Sequence, residues 1–337
     1  MMVSVKLSDK ASGCNGTLTQ PMENMVQLTA SVPPEYNKMR LDRVLAQLFP
    51  EHSRERLKYW VIHQCVQVNE RIITQPSATI QGGEQIIISA PTPPQPNWQG
   101  QPIAFEVIAE DPEFIIVNKP VGLVVHPAAG HFEYTLVNGL IHRFPELAGL
   151  PRAGIIHRLD KDTTGLLLVA RTLSAHTHFV KEMAQRLIQR EYIALVHGQL
   201  ISGGTVQAPI GRHSRQRQKM AVVTMGKPAI THYRVNKRFS HFTLLHVQLE
   251  TGRTHQIRVH MTHIHHPIVG DQLYITQIPK SKGISPNVQT AIKMFHRQAL
   301  HAYQLGFVHP KTGQTLQFNA PVPADFALLL EKIREED

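Results

Sequence analysis

Residues 154–170 read GIIHRLDKDTTGLLLVA, two apolar runs enclosing a polar loop that holds Arg158, Asp160, Lys161 and Asp162. Thr164 and Gly165 close the loop. A charged loop clamped at both ends by buried strands is a good mount for a reactive carboxylate. A carboxylate held there can serve as nucleophile or proton acceptor. An exposed hairpin carrying a surface ion pair has the same pattern, so the residues alone leave both readings open.

Residues 211–219, GRHSRQRQK, bring Arg212, Arg215, Arg217 and Lys219 together with few acids nearby. Such a density of basic residues favours phosphate contact over a merely solvated loop. The histidines His255, His260, His263, His265 and His266 invite a metal reading. They lack HExxH spacing, and no thiolates accompany them, so no metal site is expected. Neither GxxxxGK[ST] nor GxGxxG occurs, and no nucleotide cofactor is expected.

The chain has 337 residues, with 35 Lys and Arg against 25 acidic residues and a net charge of +10. That balance points to a polyanionic partner. Hydrophobic residues make up 42% and charged residues 18%, which fits a folded protein rather than a disordered one. No apolar run approaches the roughly 18 residues of a membrane span. Two cysteines, Cys14 and Cys65, are too few for a disulfide framework or a four-thiolate zinc site. A cytoplasmic protein with no membrane association, acting as a monomer, is expected.

The elements that must carry these groups follow from periodicity. Residues 1–24 lack it and read as a flexible extension. Residues 25–90 read as a small module, opening with a strand from Met25. Leu41, Val44, Leu45 and Leu48 define one helix face, and Leu57, Trp60 and Val61 a second helix that Ser53 can cap. Arg40, Arg43, Arg54, Arg56 and Lys58 surround these helices. Strands at 66–68 and 84–89 follow, with a turn at Asn69–Glu70. Five prolines make residues 91–102 a stiff linker. From 103 to 337 strands are expected at 114–117, 154–156, 165–170, 192–196, 230–236 and 242–250. A helix from Ser174 to about Gln189 should turn Phe179, Val180, Met183 and Leu187 inward, and another should begin near Thr254. Gly203–Gly204 reads as a hairpin turn. The class is α+β, built on a mixed but largely antiparallel sheet.

Several of these segments resemble known families. Two short helices followed by strands, with basic helix surfaces, resemble the S4 RNA-binding domain. HRLDKDTTGLLL at 157–168 resembles the signature of the RluA family of pseudouridine synthases. REY at 190–192, ETGRTHQIRVHM at 250–261 and RQALHA at 297–302 resemble that family's other motifs in the same order. The likeness runs from about Met25 to the C-terminus.

The resemblance implies a role for each matched residue. Asp160 matches the catalytic aspartate, and Asp162 is the rival carboxylate that the motif position disfavours. Arg253 matches the arginine that pairs with the aspartate, although an arginine at a helix start also serves plain structural contacts. Tyr192 matches the tyrosine that stacks on the target uracil and is a candidate acceptor of its C5 proton. Leu300 matches an aliphatic residue packed beside the base. Arg158 matches an arginine that fills the RNA stack where the uridine has flipped out. Arg212, Arg215, Arg217 and Lys219 fall in an RNA-gripping loop, and Arg43, Arg54 and Arg56 on the S4-like helices would bind RNA.

The implied activity is a cofactor-free isomerisation of uridine to pseudouridine. The implied partner is structured RNA, namely 23S rRNA or the assembling large ribosomal subunit, at several uridines of the helix 69 stem-loop. A sibling synthase with another rRNA or tRNA target, a non-catalytic assembly protein and a metal-dependent hydrolase are the alternatives.

Overall fold

A computed structural model describes residues 25–50, 52, 54–91, 98–127, 133–216, 218–275 and 283–337. The expected extension 1–24 with Cys14, the cap at Ser53, most of the proline-rich linker and Arg217 lie outside the described residues. The chain divides into two compact units at Pro96 and Asn97.

In the first unit, helices Leu41–Leu48 and Arg54–Ile62 bury Leu41, Val44, Leu45, Leu57, Trp60 and Val61. They accompany a four-stranded antiparallel sheet ordered Met25–Ser31, Gln85–Pro91, Val66–Val68 and Arg71–Ile72. Asn69 and Glu70 both take positive φ, 46° and 67°, as a two-residue hairpin matched to strand twist requires. Asp42, buried in the first helix, accepts from Arg40 at 3.0 Å and lies 3.8 Å from Arg54. Part of the basic helix surface is therefore answered inside the protein. Arg43 is exposed on the same helix.

The second unit is built on a nine-stranded sheet. Its order is Gly204–Gln207, Ile230–Arg238, Phe242–Leu249, Gln189–His197, Leu300–Val308, Thr164–Ala170, Phe114–Lys119 and Glu106–Glu110. Thr315–Asn319 adds to the free flank of Leu300–Val308. All pairings are antiparallel except that of Thr164 and Gly165 with His301 and Ala302. The central strands are covered on both faces, which is why they read as continuous apolar runs. Ile115, Val117, Leu167 and Val169 face a core shared with helices Leu136–Arg143, Gln256–His263, Pro286–Met294 and Ala324–Glu335. Phe114, Ile116, Leu166 and Leu168 face a second core containing Phe179 of helix Leu173–Ala184 and Phe307.

Three expected elements differ. No strand forms at 154–156. Arg152, Ala153 and Gly154 lie in the left-handed region at φ 53°, 51° and 77°, and only Ile155 bridges to Val169. A Cβ at residue 154 would lie 2.0 Å from the Ala170 oxygen, so glycine is required there. The helix expected from Ser174 starts at Leu173, capped by the Thr172 hydroxyl, and ends at Ala184 ahead of left-handed Arg186. Leu187 lies beyond that end and is exposed, and Val180 is exposed within the helix while Phe179 is buried. Gly203 and Gly204 are not a hairpin turn: Gly204 opens a strand that pairs with Ile230–Arg238 across the sheet edge.

Candidate active site

The loop 157–164 is fastened at consecutive residues. Lys119, fully buried at the end of its strand, donates from Nζ to the oxygens of Pro120, Leu123 and Lys161 at 2.7, 3.0 and 2.8 Å. Burial pushes its pKa down to about 7, against the pull of Asp162 and Asp160. Arg297 grips Asp325 with two bonds and reaches the Asp162 oxygen at 3.4 Å. Gln298 donates to the Thr163 hydroxyl at 2.9 Å, and the Thr164 hydroxyl meets His301 Nδ1 at 2.9 Å. Gly165, at φ 115°, lets this strand approach Ala302 so closely that a Cβ would lie 2.1 Å from its oxygen. At the other end, Leu168 N–H donates to His157 Nε2 at 3.1 Å. Burial, and secondarily Arg190, pushes the His157 pKa down to about 3, so the ring is neutral.

Asp160 lies at the tip of this loop, half-buried. Arg258 Nη1 donates to its Oδ2 at 3.0 Å. The same guanidinium bonds Asp271 in bidentate fashion at 2.7 and 2.8 Å and stacks 5.0 Å from the Tyr274 ring. Asp271 also accepts from the N–H groups of Leu273 and Tyr274. Burial works against the charged guanidinium, but Asp271 and Asp160 override it and raise its pKa. His255 Nε2 stands 3.9 Å from the other Asp160 oxygen, and its Nδ1 meets Tyr274 Oη at 2.8 Å.

The arginine partner of Asp160 is therefore Arg258, not Arg253. Arg253 precedes the helix, and its Nε donates to the Pro228 oxygen at 3.1 Å. The left-handed residue His255, φ 55°, starts the helix at Gln256 and places Arg258 inside, on the buried face. Both arginines stood in the motif ETGRTHQIRVHM. A buried arginine is seldom left without a carboxylate, and that tendency points to Arg258 once the helix start is known. Asp271 and Lys119 carried no comparable sequence signal.

A cavity of about 830 Å³ opens beside Asp160. Arg158, Tyr192, Arg253 and Leu300 line it with Asp160, so five of the expected residues share one space. Tyr192 is buried, and that burial, with Asp160 adding and Arg190 opposing, raises its pKa. Its phenol stays protonated near neutrality. A bulge at Tyr303, where Glu191 pairs with Gln304 and Tyr192 with Ala302, sits beside it in the sheet. Arg158 is exposed at the cavity. Among the described residues of the basic stretch, Arg212, Arg215 and Lys219 do not line the cavity. Arg212 ends one arm of the hairpin Ile210–Arg212 with Met220–Val222, and exposed Arg215 and half-buried Lys219 lie in its connection. Met220 N–H donates to Tyr274 Oη at 2.8 Å, which ties this hairpin to the Arg258 cluster. Arg43, Arg54 and Arg56 belong to the helices of the first unit.

A half-buried carboxylate paired with a buried guanidinium, at a cavity beside a protonated tyrosine, defines a site suited to acid–base or covalent chemistry. The profile of the family described as RNA pseudouridylate synthase matches residues 113–263, and that of the S4 domain matches residues 39–86. The chain is 48% identical over 315 residues to the ribosomal large subunit pseudouridine synthase D of Pseudomonas aeruginosa, covering 94% of this chain and 98% of that protein. It is 46% identical over 315 residues to the protein of the same name from Escherichia coli strain K12, covering 94% and 97%. Among solved structures, the human RNA pseudouridylate synthase domain containing 4 superposes with a TM-score of 0.54 at 25% identity, over 68% of this chain and 92% of that one. The matched proteins are pseudouridine synthases, a class of RNA-modifying isomerase. The chain belongs to the RNA pseudouridine synthase family.

Proposed function

We propose that this chain converts uridines of large-subunit rRNA to pseudouridine, with Asp160 as the catalytic carboxylate and several uridines of the helix 69 stem-loop as targets. The observation that carries the residue assignment is the Arg258–Asp160 pair at 3.0 Å in a cavity shared with Tyr192 and Leu300. The substrate class follows the names of the relatives, which match nearly end to end.

The reaction breaks the C1′–N1 bond, turns the uracil and joins C5 to C1′. Asp160 engages the ribose while the base is detached, either by attack at C1′ or by assisting loss of a sugar proton. Arg258 and Asp271 orient that carboxylate. Tyr192 stacks on the uracil as a neutral phenol, and Leu300 packs against its other side. Arg158 fills the vacated place in the RNA stack, since a stacked uridine keeps its glycosidic bond out of reach. The basic hairpin and the first unit add phosphate contacts. The rearrangement is redox-neutral and needs no electron acceptor.

Mapping pseudouridine in rRNA and tRNA from cells lacking this chain tests the assignment. Loss of the modification at large-subunit stem-loop uridines is expected. Unchanged large-subunit rRNA with a loss elsewhere would move the substrate to another RNA.

A further inference from the structure

The cavity wall contains two buried guanidinium groups that are treated differently. Arg258 is answered by two carboxylates. Arg190, only 6% exposed, is answered by none: among the described residues no carboxylate lies within ion-pair distance of it. Its Nε–H has no acceptor. Its Nη2 reaches only the main-chain oxygens of Leu249 and Glu250, at 3.5 and 3.4 Å. The neighbouring imidazole of His157 is neutral and offers no countercharge. Arg190 alternates with Tyr192 along one strand, so both side chains leave the same face and both line the cavity. The guanidinium packs against the backbone at Gly252, where a Cβ would lie 2.6 Å from Nη1.

Burying a cation without a partner costs free energy in the resting protein. Such a cost persists where the missing countercharge arrives during the reaction. Cleavage of C1′–N1 supplies one. The bonding pair leaves with N1, and the detached uracil carries a negative charge spread over N1 and its carbonyl oxygens. The electron deficiency at C1′ is met by Asp160. When C5 has bonded to C1′, the C5 proton departs and N1 regains one, so atoms and charge balance and the anion is consumed.

We propose that Arg190 is a further catalytic residue, whose unpaired guanidinium stabilises the uracil anion between glycosidic cleavage and C5 attachment. This rests on the seating of the uridine against Asp160 and Tyr192 proposed above. The guanidinium gives up no proton during the cycle. It acts as a fixed charge on a side chain that is itself buried, where such charges are most effective.

The test uses the full chain and an unmodified transcript of large-subunit rRNA, comparing wild type with Arg190→Met, Arg190→Lys and Asp160→Asn. For Arg190→Met the single-turnover rate should fall by about 10²–10³-fold, with RNA affinity within about threefold. Its melting temperature should equal or exceed that of wild type, because a buried unpaired charge is gone. Arg190→Lys should recover at least about tenfold of the lost rate, since it keeps the charge without the planar fork. An Arg190→Met rate within about threefold of wild type would overturn the proposal. So would lowered melting temperatures in both Arg190 variants with equal loss of rate and affinity, the pattern of a structural arginine. If Asp160→Asn is inactive while Arg190→Met is active, this inference alone falls. If Asp160→Asn turns over normally, the seating of the uridine falls with it.

Discussion

Arg258 links Asp160 to Asp271: one nitrogen donates to Asp160 at 3.0 Å while two others hold Asp271 at 2.7 and 2.8 Å. Asp271 is nearly inaccessible and has no other charged partner in this cluster. Removing the guanidinium strands a buried carboxylate. Arg258→Ala should cost about 3–5 kcal/mol of stability and abolish activity. Arg258→Lys should also fail, since an ammonium cannot serve three oxygens in that geometry. Arg253→Ala should change stability by no more than about 0.5 kcal/mol. Equal destabilisation by Arg253→Ala and Arg258→Ala in denaturant titrations would contradict this division of roles.

Among the described residues, Lys119 supplies the only donor to the Lys161 oxygen, in the loop that carries Asp160. Lys119→Met fits the space but leaves three carbonyl groups without their donor. A loss of about 1–3 kcal/mol per unsatisfied group bounds the effect on stability. The rate of the chemical step should fall more than RNA affinity, because the loop loosens while the phosphate contacts stay. A variant with weakened RNA binding and unchanged single-turnover rate would show that the lysine does not hold the loop.

Much of this site was legible in the sequence, and the reasons for the gaps are physical. The run 154–170 announced a loop between buried segments, and Tyr192, Arg158 and Leu300 reach the same cavity as Asp160. The choice between Arg253 and Arg258 depended on where a helix begins. A left-handed histidine sets that point, and no propensity predicts it. Lys119 reads as a polar strand end, because its three acceptors are main-chain oxygens brought together by folding. Asp271 lies 13 residues beyond Arg258, past a loop with no periodic pattern. The helix Leu173–Ala184 was found, but Leu187 was assigned inward because the pattern was extended past its true end at Ala184, and Val180, within the helix, falls on its exposed side.

Half-buried His157 and His126 and buried His197 are held as neutral imidazoles, with pKa values pushed from 6.5 to about 3, 4 and 4, by loss of solvent first. The unfolded chain therefore binds more protons than the folded one below the ordinary histidine value. The stability these imidazoles contribute should be full above about pH 6.5 and fall as the pH drops toward the folded values. Between about pH 6.5 and 5 the imidazoles dominate, and carboxylates join below that. Denaturation midpoints should show this slope, and His157→Gln should reduce it. An unchanged slope in that variant would mean that His157 titrates normally in the folded state.

Arg215 is exposed in the connection of the basic hairpin, away from the cavity. Arg215→Ala should weaken RNA binding and lower the log–log salt slope by roughly 0.7–0.9, the signature of one lost phosphate contact. The single-turnover rate at saturating RNA should not change. An unaltered salt slope would remove the hairpin tip from the RNA interface.

The central claim is that Asp160 performs the chemistry and does not merely hold the loop. The most direct measurement is single-turnover pseudouridine formation by Asp160→Asn on unmodified large-subunit rRNA, beside its RNA affinity. The expected result is a rate lowered by at least about 10³-fold with affinity nearly intact, since the phosphate contacts lie elsewhere. Wild-type turnover by Asp160→Asn would contradict the account.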